Sequence, residues 1–318
     1  MPQQSQYQAQ QPPPGYGAPG PQDYGQQPDN GQQQAYGGPG DDYDNSAEAP
    51  TRQPLSAGEL EQLVAPLALY PDQLLAQILT ASTYPAQVAA ADQWLRQMNG
   101  AGQDQIVAGA NAQSSWDPSV KALTAFPQVL DTLNGNLQWT TALGNAYYNQ
   151  PQDVLETVQE LRQRAEQAGN LESTPQQQVM IQDPGYIAVQ PADPQTVYVP
   201  TYDPWAVYGE PVAPYPGFSY FGGLGSFAGD GVQFGMSYGM GPFMHTPFWL
   251  GAWGLDWMGN AILFNRANYW TRSRQVRDWG FERGGLGGSV WGADRIDAHE
   301  YGGGADCGDA AATAARGG

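Results

Sequence analysis

The chain has 318 residues, including 41 glycines and 27 prolines, and its formal charge at neutral pH is -19. Because it holds just 12 Lys and Arg residues, the composition argues against a nucleic-acid binder, which neutralises phosphate with clustered basic side chains. One cysteine and two histidines exclude an internal disulfide, a multi-cysteine metal site and most histidine-rich metal sites.

The first part of the chain, residues 1–54, contains no Val, Ile, Leu, Phe or Trp and is rich in Gln, Pro, Gly, Asp and Tyr. Such a segment cannot bury enough apolar surface to offset its chain entropy, so we predict that it is disordered. Its spaced tyrosines are typical of prion-like tracts, although a solvated spacer is the favoured interpretation. Residues 1–11 show no secretory signal, so we expect a cytoplasmic protein, export by another route, or a processed or incorrect start.

The second part, residues 55–172, predicts a bundle of about six or seven short helices. Ser56 and Glu59 have the spacing of a capping box at the first helix, which Pro66 should shorten or kink. Later helices are predicted to start at X–Pro steps, since proline suits the first helical turn and the residue before it avoids the α region. These starts are Pro71, Pro85, Pro118, Pro127 and Pro151, with a further short helix through Ile106 and Ala110 and with the Pro127 helix reaching Leu137.

The third part, residues 173–209, alternates apolar and polar residues as a half-buried strand does. A three-residue hairpin loop at 183–185, with Gly185 in the left-handed region, pairs Ile181 with Ile187 and Val179 with Val189. A five-residue loop at 191–195 then pairs Val189 with a third strand at Val197. The predicted fold class is therefore α+β, a mainly α-helical bundle with a small antiparallel β-meander docked on it, flanked by long disordered low-complexity tails.

The fourth part, residues 210–318, is rich in glycine and aromatic residues, and we predict that it is mostly disordered. Residues 231–255 lack charged side chains, but glycine and proline interrupt them too often for a membrane helix. A collapsed aromatic tail, or an interfacial segment anchored by Trp249, Trp253 and Trp257, competes with a disordered tail as the interpretation. Residues 266–283 are basic and could contact anionic lipid or nucleic acid, or balance the acidic remainder of the chain.

Four blocks of sequence, in this order and spacing, resemble the bacterial domain-of-unknown-function 3300 family over about residues 55–209. The blocks read LVAPLALYPDQLLAQILTASTYPAQVAAADQW, WDPSVKALTAFPQVL, AGNLESTPQQ and VYVPTYDPWAVYG. The resemblance implies an exported or envelope-associated bacterial protein, either periplasmic or extracellular. It implies no enzymatic activity, cofactor or catalytic residue.

Few residue patterns in the sequence support a catalytic site. A nucleophilic triad needs a base, usually histidine, and residues 55–209 contain none. Paired carboxylates could serve a cell-wall hydrolase if two of them converged in a cleft. The candidates are Glu59, Glu61, Asp72, Asp92, Asp117 and Asp131, although helix capping explains Asp72 and Asp117 better.

The aromatic and proline signature that closes the resembling region is the candidate binding site. Rigid aromatic rings bury contact area at little cost in entropy, which suits peptide or carbohydrate binding. The favoured alternative is that Tyr198 and Tyr202 clamp the meander onto the bundle. The candidate binding residues are Tyr198, Pro200, Tyr202, Asp203, Pro204 and Trp205.

The combined prediction is a non-enzymatic interaction or scaffold module of the bacterial cell envelope, with no catalytic residue, metal or cofactor. Its expected partner is an unknown protein or cell-wall component, and nucleic acid is not expected. The alternatives are an envelope enzyme that acts on cell-wall sugar or peptide through carboxylates, and a membrane-surface binder that uses residues 243–283.

Overall fold

The computed structural model describes residues 54–219 and 231–279. The disorder predicted for the N-terminal part therefore lies outside the described residues, apart from Pro54. The same holds for the predicted disorder of residues 220–230 and 280–318.

The described structure contains eight α-helices, and most begin where the sequence predicts. The capping box is confirmed, since the Glu59 carboxylate accepts from Ser56 N at 2.9 Å and from Ser56 Oγ at 2.7 Å. The first helix also ends before Pro66, as predicted. The helices are α1 (Ala57–Val64), α2 (Asp72–Ser82), α3 (Pro85–Gln97), α4 (Gln103–Ala112), α5 (Pro118–Leu123), α6 (Pro127–Gly135), α7 (Leu137–Asn149) and α8 (Pro151–Gln167).

The helix predicted from Pro127 to Leu137 is shorter than expected, and the helix that follows it was not predicted. α6 ends at Gly135, and Asn136 leaves the helical region with φ -116° and ψ 45°. Asn and Gly are weak helix formers, and the Asn136 side chain donates to Thr132 O at 2.9 Å, which closes the end of α6. α7 then begins as a separate helix with its own apolar face.

The first β-hairpin confirms the predicted register. In β1 (Gln177–Gln182) and β2 (Tyr186–Pro191), Ile181 pairs with Ile187 and Val179 pairs with Val189. Gly185 has the positive φ, 137°, that the predicted loop requires. Ile187 is buried, whereas its partner Ile181 is 70 % exposed. The tip of the hairpin therefore extends away from the bundle.

The third strand does not join this hairpin, so the predicted three-stranded meander is wrong. β3 (Thr196–Thr201) pairs instead with β4 (Gln233–Gly239), and Val197 lies opposite Tyr238. After β2 the chain stays with β1, as Ala192 N donates to Gln176 O at 3.2 Å, and then turns tightly at Asp193–Thr196. β4 carries its own alternation of apolar residues and competes successfully for the open edge of β3.

The prediction that residues 210–318 are mostly disordered is wrong for the described part of that segment. Besides β4, it forms two 3₁₀ turns (Gly241–His245 and Leu250–Ala252) and a sheet of β5 (Trp253–Asp256), β6 (Ala261–Phe264) and β7 (Ala267–Asn268). Phe243, Phe248, Trp253 and Trp257 are each at most 3 % exposed. Burial of these large rings offsets the chain entropy of the glycine-rich sequence.

This burial also removes two of the three residues predicted as an interfacial membrane anchor. Trp253 and Trp257 belong to the protein core, and Trp249 is half-buried. Among residues 54–219 and 231–279, no helix has the length and apolarity needed to span a bilayer.

Candidate functional site

A buried ion pair between Arg162 and Asp72 organises one side of the bundle. Arg162 lies on α8 and is fully buried, and its Nη1 donates to Asp72 Oδ1 at 2.6 Å. Asp72 is the first residue of α2 and is 6 % exposed. Arg162 also donates from Nε to Ala68 O at 2.7 Å and from Nη2 to Tyr70 O at 2.8 Å. The buried charge is thus both paired and hydrogen-bonded, as a stable buried charge requires.

Two further elements bind to the same ion pair. From β2, Val189 N donates to Asp72 Oδ1 at 3.3 Å, and Ile187 O accepts from Arg162 Nη1 at 2.8 Å. From the loop after β5, Trp257 Nε1 donates to Asp72 Oδ2 at 3.2 Å, and its ring lies 4.9 Å from the guanidinium carbon. The ion pair therefore fixes α2, α8, β2 and the C-terminal sheet relative to one another.

Two of the elements held by this pair, α2 and β2, help to line a cleft of about 310 Å³, which we call the glutamine cleft. Its volume is at the lower end of ligand pockets, which span roughly 300–1,000 Å³. Gln73 is the second residue of α2, and Gln178 and Gln190 are direct partners in the β1–β2 ladder. The remaining lining residues are Pro191, Ala192, Pro194, Trp249, Leu250 and Gly251.

The indole of Trp249 has a fixed place in the glutamine cleft. A Cβ atom at Gly251 would lie 2.2 Å from Cη2 of Trp249, so the ring covers this glycine directly. Any side chain at position 251 would displace the ring. Trp249 is half-buried and offers a flat, rigid apolar surface beside the three glutamines of the lining.

One lining residue, Gln73, has a polar atom without a partner among the described residues. Gln73 Oε1 is buried and accepts no hydrogen bond from the described residues. Buried side-chain oxygens are nearly always hydrogen-bonded, so this acceptor calls for a donor from outside the described residues. The lining includes no Asp, Glu, Lys, Arg or His, and a neutral donor such as a hydroxyl or amide group fits it.

Two other clefts are smaller than the glutamine cleft. One of about 10 Å³ lies beside Trp139 and Phe218. The other, of about 80 Å³, lies beside Tyr70 and the signature residues Pro200 and Tyr202. A site of about 10–15 Å³ holds one water molecule, so the first cleft is water-sized, and the second has about a quarter of the volume of the glutamine cleft.

Three of the six predicted binding residues are buried: Pro200, Tyr202 and Pro204. The hydroxyl of Tyr202 donates to Ala65 O at 3.1 Å and accepts from Leu69 N at 3.3 Å. Tyr202 therefore joins the signature to the segment after α1, in agreement with the clamping interpretation.

The other three predicted binding residues, Tyr198, Asp203 and Trp205, are half-buried. Tyr198 meets Phe234 edge to face at 6.4 Å, and Trp205 meets Phe218 in the same way at 6.0 Å. Asp203 Oδ1 accepts from Trp205 N at 2.9 Å and so orders the turn after β3. Ligand binding by the six residues stays a prediction.

The acids considered for catalysis do not meet in any of these three clefts, none of which is lined by Asp or Glu. Asp117 caps α5 as predicted, because its Oδ1 accepts from Ser119 N at 2.9 Å. Asp72 does not cap α2, so that part of the prediction is wrong, although it lies in the first turn of α2, where the helix dipole favours a carboxylate. Its carboxylate binds Arg162. Of the others, Glu59 belongs to the capping box, Glu61 pairs with Arg164, and Asp92 and Asp131 pair with Arg96.

Metal binding has no cluster to support it within the described parts of the chain. No group of three or more His, Cys, Asp or Glu residues there could hold an ion.

The sequence of the chain matches a known protein family. A family model described as protein of unknown function (DUF3300) matches residues 56–284. The chain belongs to this family. The match confirms the resemblance seen in the four sequence blocks and extends past residue 209, so that the DUF3300 region contains the whole glutamine cleft.

Among curated proteins, the chain is similar to the uncharacterized protein YacH of Escherichia coli (strain K12), with 40 % identity over 185 residues. The match covers 48 % of this chain and 30 % of the relative, so the chain spans less than a third of that protein. No solved structure matches the chain.

Asp72 and Trp249 were predicted in other roles from the sequence, and the remaining residues of the buried ion pair and of the glutamine cleft were missed. Arg162 had a detectable signal, because it lies four residues after Val158 on the apolar stripe of α8. Gln178 and Gln190 could be placed opposite each other once the hairpin register was known. Trp249 gave no local signal, because its position depends on contacts between distant segments.

Proposed function

We propose that the DUF3300 region of this chain is a non-catalytic binding module for a neutral carbohydrate chain of the bacterial cell wall. The observation that carries the proposal is the composition of the glutamine cleft. One half-buried indole and three primary amides line it, and no charged side chain does.

Sugar chemistry matches both kinds of lining group. The C–H face of a sugar ring packs against a flat aromatic surface such as Trp249. A primary amide both donates and accepts, so Gln178 and Gln190 can each bind neighbouring hydroxyl groups. Gln73 lines the same cleft and offers a third amide to such a ligand.

Charge favours a neutral ligand over an ionic one. The chain carries a formal charge of -19, which repels anionic polymers unless local cations offset it. The lining has neither a cation for an anionic ligand nor a carboxylate for a cationic one. A buried ionic ligand without such a partner is disfavoured.

Binding without cleavage is supported by the positions of the acids. Hydrolysis of a glycosidic bond commonly needs two carboxylates that flank the scissile bond. The carboxylates considered for this role lie outside the cleft and have structural partners. Location in the cell envelope is part of the proposal and is supported by the family resemblance.

Cosedimentation tests the proposal with the full chain and insoluble chitin, a neutral polymer of N-acetylglucosamine. We expect retention that Trp249→Ala abolishes and that Trp270→Ala, a change at a partly exposed tryptophan outside the cleft, preserves. Purified peptidoglycan, before and after removal of its peptides, provides the second arm. Retention that needs the peptides, or that survives Trp249→Ala, would contradict the carbohydrate proposal.

A further inference from the structure

The segment of residues 266–279, which we call the arginine strap, concentrates the positive charge of the described structure. It carries four of the eight Lys and Arg residues found within 54–219 and 231–279. All four, Arg266, Arg272, Arg274 and Arg277, are exposed. Within the described residues none of these four guanidinium groups forms an ion pair, whereas Arg96, Arg162 and Arg164 do.

The backbone of the strap is attached to the bundle at its first half. Thr271 Oγ1 lies 2.7 Å from Thr83 Oγ1, and Ser273 Oγ donates to Thr83 O. Arg272 N donates to the hydroxyl oxygen of Tyr84 at 2.9 Å. The strap is therefore held at the junction between α2 and α3.

A second set of hydrogen bonds attaches the other half to α7. Arg277 N donates to Asn145 Oδ1 at 2.7 Å, and Asn149 Nδ2 donates to Arg277 O at 2.9 Å. Trp279 N donates to Asn149 Oδ1 at 3.0 Å, and the Trp279 ring is 5 % exposed. The segment between the two attachments is thereby ordered without regular secondary structure.

The attachment divides the strap into an inner and an outer side. Tyr269, Thr271 and Ser273 are half-buried, and they alternate with exposed residues from position 268 to position 274. Alternate residues of an extended chain point to the same side, so Trp270, Arg272 and Arg274 share the outer side. Trp270 is 44 % exposed.

The surface below the strap does not explain its charge. Residues 80–91, at the junction of α2 and α3, and residues 137–152, through α7, contain no Asp, Glu, Lys or Arg. Two acids do lie at the strap: Asp117, whose Oδ2 accepts a hydrogen bond from the Tyr269 hydroxyl, and Asp278 within the strap itself. Four arginines and one aspartate still leave the strap with a net formal charge of +3 in an otherwise acidic domain. This placement favours an external anionic partner over the balancing of the acidic remainder of the chain.

We infer that the arginine strap docks on an anionic phospholipid bilayer. Basic side chains near such a surface are attracted to its negative potential, and an accompanying tryptophan is suited to the headgroup region. The strap provides both on one side, with its backbone already ordered, which lowers the entropy lost on binding. This surface is separate from the glutamine cleft, so each can be removed while the other is kept.

Vesicle cosedimentation of the full chain tests the inference. The vesicles contain phosphatidylcholine with phosphatidylglycerol, and phosphatidylcholine alone is the control. We expect binding to the anionic vesicles that falls steeply with added salt. Each Arg→Gln change at positions 272, 274 and 277 should weaken it about fivefold, and the triple variant about 100-fold. Trp270→Ala should also weaken binding to the anionic vesicles.

The triple Arg→Lys variant at the same positions is the charge-matched control. It should keep most of the binding, because attraction to a charged surface depends on charge rather than on the shape of the guanidinium group. Loss of binding in this variant would indicate recognition of a discrete phosphate group and would overturn the proposal. Equal binding to phosphatidylcholine alone, or unchanged binding after the triple Arg→Gln substitution, would also overturn it.

Single-stranded RNA in the same assay decides between the two anionic partners that the sequence suggested. Preferential binding of RNA that displaces the vesicles would overturn the bilayer proposal in favour of nucleic acid. Circular dichroism and the unfolding midpoint of each variant should match those of the parent chain. If the triple variant unfolds, the salt dependence and Trp270→Ala still decide the outcome.

Discussion

Arg162 on α8 and Asp72 on α2 are 90 positions apart in the chain and meet at 2.6 Å in a buried ion pair. Val189 and Trp257 bind the same carboxylate, so four separate segments converge on one side chain. Because a buried ion is unfavourable without its partners, the pair holds these segments in one arrangement. Two of these segments, α2 and β2, also contribute Gln73, Gln190 and Pro191 to the glutamine cleft, so the cleft depends in part on this arrangement.

Arg162→Met tests the importance of the buried pair. The substitution leaves Asp72 buried without its counter-ion, which should lower the free energy of unfolding by about 3–5 kcal/mol. Arg164→Met is the control two residues along the same helix. Arg164 pairs with Glu61 at 3.3 Å in a partly exposed position, so its loss should cost less than about 1 kcal/mol. Urea titration of both variants gives the two values, and similar losses would contradict the assigned role.

Gly144→Ala should strongly destabilise the bundle. A Cβ atom at this position would lie 2.1 Å from the carbonyl oxygen of Ser82, so α7 and α2 would have to separate. Gly58→Ala in α1 is the matched control, because a Cβ atom there meets nothing within 4 Å and removes the helix penalty of glycine. We expect the control to raise the thermal midpoint slightly and Gly144→Ala to lower it by several degrees. A tolerated alanine at position 144 would argue against the close crossing.

Gln77→Met should raise the free energy of unfolding by about 1 kcal/mol. The Gln77 side chain is fully buried, and neither of its amide atoms has a hydrogen-bond partner among the described residues. Methionine has a similar volume and carries no polar group to desolvate. Destabilisation in a chemical melt would instead indicate a buried water molecule that binds the amide.

Alkaline pH should destabilise the fold through its buried tyrosines. Burial raises the pKa values of Tyr70, Tyr147 and Tyr202 well above 10, and burial raises the pKa of Tyr238 to about 12. Above pH 10 the unfolded chain releases protons that the folded chain keeps, so the free energy of unfolding falls as pH rises. The limiting slope is about 1.4 kcal/mol per pH unit for each such tyrosine.

Urea unfolding at pH values on both sides of 10, with tyrosinate absorbance recorded in parallel, measures this effect. The buried tyrosines should ionise together with unfolding, and Tyr202→Phe should reduce the slope. Stability that stays constant as pH rises through 10–12 would contradict the raised pKa values.

The local features of the fold were predictable because their causes are local. Ser56 and Glu59 are three residues apart, and the loop ending at Gly185 fixes the hairpin register without reference to the rest of the chain. The start of α8 at Pro151 follows from the restricted geometry of proline.

The long-range features were not predictable in this way. β3 has an open edge that β2 or β4 could fill, and the choice depends on competing tertiary contacts. The glycine-rich segment around Trp253 has the composition of a disordered tail, yet its aromatic rings complete the core. The candidate site could not be predicted for the same reason. Trp249 and Gln73 line one cleft only after these distant segments have packed.

Binding of a neutral sugar chain in the glutamine cleft is the central claim, and a fluorescence titration with an N-acetylglucosamine oligosaccharide tests it most directly. The parent chain and Trp270→Ala should show the same saturable change in tryptophan emission. Trp249→Ala should abolish the change, and Gln73→Leu should weaken binding about tenfold through loss of one hydrogen bond to the ligand. An unaltered dissociation constant in both cleft variants, or no saturable change with the parent chain, would contradict the account.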